Sequence, residues 1–304
     1  MIFLAYFFLA TAISANKALL AFLPPSFFVG IRMLTAGSIM IAYNYFRSKR
    51  MRFSYFKHDI LKIIIISLFT SFIPSILKAY GFKHMFSSKA ALMGSIDPFV
   101  TAIYAYILFS EKLTWKKFLG IIIGFLGITL IVVSRSPIEE PLLAWLQISY
   151  PELALIGSVA IGRYGWILIR SLLKKERYKP TEINGLTMFV SGILALITSY
   201  FIDSPGSINI TSIPKFLSLF TYTIFAGNIL GYALFAKCFA TYNITFVSLA
   251  GFSITIFVTL IGWLFLGEPI TPIFVLSSFI IFAGLVIFHL DGLKKGYQKK
   301  KPHA

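Results

Sequence analysis

Long, unbroken apolar runs dominate this chain. Ten of them, at 2–23, 26–46, 60–82, 87–109, 115–134, 151–170, 183–202, 214–236, 244–266 and 272–290, reach about 20 residues, the length a helix needs to cross a hydrocarbon core of about 30 Å. They are too continuous for the alternating strands of a membrane barrel. The breaks fall where a helix has reason to stop: Pro24-Pro25, the basic stretch 47–59, and Pro180, Pro205 and Pro214. The pattern predicts an all-α integral membrane protein with ten transmembrane helices.

The pattern also repeats. The stretch Ala79–Val133 reappears at an offset of 157 residues (268 − 111 = 157), so that Glu111 matches Glu268, Thr114 matches Thr271 and Gly127 matches Gly284. Ala79 meets Ala236, Phe82 meets Phe239, Leu92 meets Leu249 and Phe125 meets Phe282 without a gap. The predicted organisation is a five-helix repeat over 1–136, a second over 151–291, and a basic tail over 292–304. An odd number of helices per repeat makes the second enter the membrane inverted. Two inverted five-helix repeats are the architecture of carriers that expose a midplane site alternately to each side.

Composition agrees: 58% of residues are hydrophobic, 13% charged, and mean hydropathy is +0.84. The net charge of +17 is a topology signal before it is anything else. The loops after helices 2, 4 and 6 and the tail hold seventeen Lys and Arg; the opposite loops hold four, Lys83, Lys89, Arg135 and Lys215. Both termini are therefore expected in the cytoplasm, with the tail against anionic lipid rather than nucleic acid. One cysteine, Cys238, allows no intramolecular disulfide, and His58, His84, His289 and His303 have no metal-ligand spacing, so no metal and no cofactor are expected. The apolar start at Ile2, without a basic leader, reads as a retained first helix.

These residues resemble the EamA-type branch of the drug/metabolite transporter superfamily over nearly the whole chain. The likeness rests on Arg32 after a proline-bearing turn, Pro98 within helix 4, Glu111-x-x-Thr114 before Gly120 and Gly127, and Gly267-Glu268-x-x-Thr271 before Gly284. It implies a ten-helix inverted-repeat carrier of small organic metabolites, and the chain has no nucleotide phosphate loop. The chain departs from the family pattern at Ser110, where Gly usually precedes Glu, at Ser277, which takes the place of Gly120, and at Asp97, where an apolar or small residue is usual.

Ionisable groups within spans are costly and mark candidate function. Asp97, about 15 Å along helix 4 from Ser87, and Arg163 in helix 6 are both placed near the midplane. Either they pair with each other, or Asp97 meets a cation of the substrate and Arg163 its carboxylate. Pro98 leaves a carbonyl near Gly94 free for substrate or water. Trp166, Tyr104, Tyr164 and Tyr232 are candidate cavity rings, Asn228, Asn16 and Ser253 neutral partners, and Arg32 and Lys17 further candidate substrate contacts. Lys78, Lys62, Lys237 and Arg170 read as anchors. Glu111, Thr114, Glu268 and Thr271 read as turn formers, with each Thr as helix cap and each Glu favoured by the helix N-terminus. The expected function is a secondary transporter of a small zwitterion, of amino-acid type or S-adenosylmethionine. The alternatives are a drug, organic-cation or nucleotide-sugar carrier, a membrane-embedded enzyme, or a structural protein. The expected setting is a bacterial inner membrane, as a monomer or weak homodimer with the lipid bilayer and a small-molecule substrate as partners.

Overall fold

The computed structural model describes residues 1–48, 53–134, 141–143, 148–173, 178, 180–203, 208–231, 234, 237–238 and 241–294. The helices in chain order are α1 Ile2–Leu20, α2 Pro25–Ser48, α3 Phe53–Ser67, α4 Ile73–His84, α5 Ser87–Gly94, α6 Asp97–Phe109, α7 Trp115–Val133, α8 Tyr150–Leu173, α9 Pro180–Ile202, α10 Ile213–Tyr222, α11 Ile244–Ala250, α12 Ser253–Leu266 and α13 Pro272–Leu293. Among the described residues, nine helical stretches are long and apolar enough to cross a membrane. The tenth expected span corresponds to α10 and the π-helical segment Thr223–Gly231 that follows it, and several residues beyond Gly231 lie outside the described ones. So do most of the basic tail and the loop residues around 49–52 and 174–177. Two short strands, β1 Pro141–Leu143 and β2 Ile148–Ser149, pair antiparallel in the linker between the halves.

Four spans expected to be continuous are interrupted, and each interruption has a counterpart in the other half. The 60–82 span widens into a π segment at Leu68–Phe72, as the 214–236 span does at Thr223–Gly231. The 87–109 span breaks between α5 and α6, because Pro98 cannot donate to Gly94 and the chain turns at Ser95-Ile96 instead. The 244–266 span breaks between α11 and α12 at Gly251-Phe252, and Gly251 is the 157-offset mate of Gly94.

The chain forms two compact units, and each draws helices from both sequence halves. One holds 1–18, 84–153 and 221–304; the other holds 19–83 and 154–220. In the first unit α7 and α13 run antiparallel with backbones touching. A Cβ on Gly120 would stand 2.7 Å from Gly284 O, one on Gly124 2.1 Å from Phe99 Cε2, and one on Gly127 2.6 Å from Ile281 Cγ1. Around α1, Ile2, Ala5 and Tyr6 bury against Cys238, Val247 and Ala250.

In the second unit α2 and α9 pack the same way. Gly30 meets Leu196, Gly192 meets Leu34 and Gly37 meets Phe189. Small residues let helix backbones approach where lipid offers no hydrophobic drive for association. The core of this unit joins Ile63, Ile66, Ile169, Ile183 and Leu186. Here α8 lies along α4 and the π segment before it: a Cβ on Gly165 would stand 2.5 Å from Phe69 C and O, and one on Gly81 2.5 Å from Leu155 Cγ.

Candidate functional site

Asp97 does not sit inside a continuous helix. It opens α6, directly after the break, with Ile96 as a cap residue that supplies no side-chain hydrogen bond. The first amides of α6 are served locally, Phe99 N and Val100 N donating to Ile96 O at 2.9 and 3.1 Å. A carboxylate in the first turn is favoured by the exposed N–H dipoles. It is half-buried, and nothing lies within 4 Å of where a Gly94 Cβ would be. A charged group thus stands at a helix break beside open space, the arrangement by which discontinuous membrane helices present charge and backbone to a ligand. Tyr104, two turns further along α6, is also half-buried.

The two Glu-x-x-Thr turns share a backbone and differ in their side chains. Ser110 at φ 53° and Gly267 at φ 66° both close the preceding helix in the left-handed region, and Glu111 N and Glu268 N donate to Ala105 O and Gly262 O at 3.2 and 3.1 Å. Thr114 Oγ1 accepts from Lys117 N at 3.4 Å and Thr271 Oγ1 from Phe274 N at 3.2 Å. Glu111, however, is exposed, and Glu268 is buried. Its Oε2 accepts from Ser87 N at 2.7 Å, its Oε1 from Ser87 Oγ at 3.3 Å, and it forms an ion pair with Lys17. Gly262 leaves the room, since a Cβ there would stand 2.8 Å from Glu268 Oε2. Glu268 therefore caps α5 across the repeat boundary. Phe86 leaves that helix start without a cap of its own, whereas Asn243, at the equivalent place in the second half, caps α11 by accepting from Thr245 N at 3.0 Å.

Lys17, read from sequence as a candidate substrate contact, has its ammonium engaged by Glu268 and by Met85 O. A second buried pair was not foreseen. Lys89, counted as a loop cation, lies 2.5 Å from Glu152 Oε1, and Glu152 Oε2 accepts from Ser149 N at 2.6 Å. Lys89 belongs to α5, and a cation beside a helix start carries no sequence signal for burial; only the tertiary partner reveals it.

The remaining candidates divide between the units. Asp97, Tyr104 and Lys17 belong to the first; Arg32, Arg163 and Trp166 belong to the second. Arg32 lies over the Phe28 ring at 5.6 Å. Arg163 is half-buried, Trp166 is 55% exposed, and Tyr164 contacts Phe69 of the π segment edge-on with centroids 5.6 Å apart. Asn16 is half-buried and Ser253 Oγ donates to Ala250 O at 2.7 Å. Tyr232 and the side chain of Asn228 lie outside the described residues. No group of three or more His, Cys, Asp or Glu able to hold a metal occurs among the described residues.

A model of the EamA-like transporter family matches residues 1–133 and 150–290. The S-adenosylmethionine/S-adenosylhomocysteine transporter of Chlamydia muridarum is 27% identical over 299 residues, covering 98% of this chain and 93% of that protein. The protein of the same name from Chlamydia trachomatis serovar L2 is 26% identical over 98% of this chain and 90% of its own length. An uncharacterized transporter of Bacillus subtilis is 25% identical over 92% and 89%. A solved crystal structure covers 95% of this chain and 96% of its own with a TM-score of 0.57 at 13% identity, a likeness of fold.

Proposed function

Because the chain belongs to the EamA-like transporter family, we propose that it is a secondary carrier of a small zwitterionic metabolite, with S-adenosylmethionine and S-adenosylhomocysteine as the leading substrates. Similarity over nearly the full length to two proteins named for those compounds carries this reading. The chemistry of the candidate residues in each unit supports it. Asp97, at the start of α6, suits a sulfonium or ammonium; Arg163 suits a carboxylate. The aromatic side chains Trp166 and Tyr104 offer faces for an adenine or for a cation. The excess of Lys and Arg in the loops after helices 2, 4 and 6 and in the tail supports an orientation with both termini in the cytoplasm of a cell whose inner membrane holds the carrier.

Uptake of labelled S-adenosylmethionine into proteoliposomes tests the function. Uptake should saturate and should be stimulated by S-adenosylhomocysteine preloaded inside. Asp97→Asn and Arg163→Gln should each abolish it while the purified protein keeps a monodisperse elution profile, and the charge-swapped double variant should stay inactive. No uptake by the wild type sinks the substrate; recovery in the swap returns both residues to a structural ion pair.

A further inference from the structure

The half-helices α5 and α11 are 157-offset mates in one compact unit, each ends at a break, and different chemistry holds each in place. Buried ion pairs hold α5: Glu268, paired with Lys17, caps its start, and its own Lys89 pairs with Glu152. The α11 sequence has no charged side chain, and neutral contacts from two neighbours hold it. From α1, Tyr6 donates its hydroxyl to Val247 O at 2.5 Å. From α13, His289 Nε2 lies 3.2 Å from Ser248 Oγ, and a Cβ on Gly292 would stand 2.4 Å from Thr245 Oγ1. The His289–Ser248 contact has no polar counterpart in the first half, where the mates are Val132 and Ala91.

Ser248 belongs to the last turn of α11, and Gly251 N closes that turn by donating to Val247 O and Ser248 O at 3.0 and 3.2 Å. His289 therefore grips α11 where the chain breaks toward α12, the kind of discontinuity that carriers use to meet their ligands. The ring is half-buried within the span Pro272–Leu293, four residues or about 6 Å from the end that leads into the basic tail. Whichever tautomer the neutral ring takes, it and the hydroxyl can share one hydrogen bond. A proton taken up from water fixes Nε2 as the donor and places a full charge on the ring.

Little around the ring would compensate that charge. On the elements packed against α13, α11 and α12 carry no titratable side chain. On α7, Lys116 is paired with Asp291 at 2.5 Å, and Lys117 is a second cation acting on the ring. On α6, whose Phe99 meets Phe288 edge-on at 5.5 Å, the titratable groups are Asp97 in the first turn and Tyr104 and Tyr106 beyond it. On α5, Lys89 is engaged by Glu152. A buried charge without a counterion is costly, so a charged ring gains by turning to water and giving up its contact.

We propose that His289 is a proton-binding site of the carrier: neutral, it holds half-helix α11 against α13 through Ser248, and protonated it releases that half-helix, so that transport responds to protons. The proton site stands on the geometry of α11 and α13; its effect on transport rests on the function proposed above. Histidine suits the role because its ordinary titration falls near neutral pH, whereas the charges that hold α5 lie outside that range.

Hydrogen exchange of the purified full chain tests the site without any substrate. After correction for the intrinsic pH dependence of exchange, the amides of 244–250 should lose roughly tenfold of their protection between about pH 8 and about pH 6, while those of 87–94 keep theirs. His289→Gln, whose amide can bond Ser248 but takes no proton, should abolish the pH dependence, and Ser248→Ala, which cuts the link and keeps the ring, should leave α11 weakly protected at both pH values. Protection of α11 that does not change with pH in the wild type overturns the proposal, and so does a wild-type pH response in either variant. If His289→Gln does not fold, Ser248→Ala decides. In proteoliposomes with equal pH on both sides, exchange of S-adenosylmethionine should change at least roughly threefold over the same range for the wild type and less than roughly 1.5-fold for His289→Gln. Equal pH profiles of the two overturn the role in transport. If the wild type carries no S-adenosylmethionine, the substrate fails, and the hydrogen-exchange result alone upholds or overturns the proton site.

Discussion

Glu111 and Glu268 occupy one position in two copies of one turn and do different work. From sequence both read as turn formers, with a favourable charge at a helix start worth at most about 1 kcal/mol. For Glu111, exposed in the structure, that scale stands. For Glu268 it is too small, because its carboxylate is paired with Lys17 in a buried setting and caps the start of α5. Removing one partner of a buried pair leaves the other charge uncompensated, at a cost of about 3–5 kcal/mol. Glu268→Gln should therefore lower the thermal midpoint of the purified protein markedly and reduce the amount recovered from the membrane, while Glu111→Gln should stay within about 0.5 kcal/mol of wild type. Equal effects of the two would show that the buried pair contributes nothing. The Glu-x-x-Thr spacing was legible in the sequence; the partner was not, since Ser87 lies 181 residues away and carries no motif. Ser110 is the reverse case. Its departure from the usual Gly is plain in sequence, and the structure gives the usual Gly its reason, a φ of 53° that side chains with a Cβ adopt at some cost.

At the scale of elements, hydropathy located the helices because length and apolarity are what a bilayer selects. It missed their interruptions because a glycine, a proline or a widened turn inside an apolar run leaves the mean hydropathy unchanged. The π segments at Leu68–Phe72 and Thr223–Gly231 and the breaks before Asp97 and Ser253 are visible only in the backbone, and such irregularities gather at functional sites. Glycines separate into two kinds on the same ground. Gly120, Gly124 and Gly284 let α7 and α13 touch, whereas Gly94 faces open space. Gly284→Ala, whose Cβ would stand 2.7 Å from Gly124 N, has to push two backbones apart, and Gly124→Ala has to displace the Phe99 ring. Each should lose about 1–3 kcal/mol or more, read as a drop in the detergent thermal midpoint. Gly94→Ala should leave the midpoint within about 1 kcal/mol of wild type, and a change confined to transport would then report on the space beside Asp97. A loss of stability at Gly94 equal to that at Gly284 would remove the distinction.

At the scale of the whole chain, the 157-residue offset and the helix contacts within each unit describe a two-fold relation. In the α2–α9 contact, Gly30 with Leu196, Leu34 with Gly192 and Gly37 with Phe189 step in opposite directions, and the contact centres between Leu34-Thr35 and their 157-offset mates Ser191-Gly192. The α7–α13 contact behaves alike, Gly120 meeting Phe288, Gly124 meeting Gly284 and Gly127 meeting Ile281. A helix that packs antiparallel against its own repeat mate, centred on equivalent residues, is what a two-fold axis lying in the membrane plane produces. The sequence announced the repeat through its turns but not that its halves interleave, because interleaving depends on contacts between residues far apart in the chain. Inversion has a consequence that stability measurements do not reach. Thr114 and Thr271 are both exposed caps of equivalent helices, and inversion predicts them on opposite faces of the membrane. In a Cys238→Ser background, an impermeant thiol reagent added outside intact cells should label Thr271→Cys and spare Thr114→Cys, and permeabilised cells should label both. The excess of Lys and Arg in the loop that holds Thr114, and in the other loops expected on its side, predicts that this face is inside. The reverse labelling would overturn the orientation and keep the inversion, whereas labelling of both sites in intact cells would leave the repeat without a membrane between its turns.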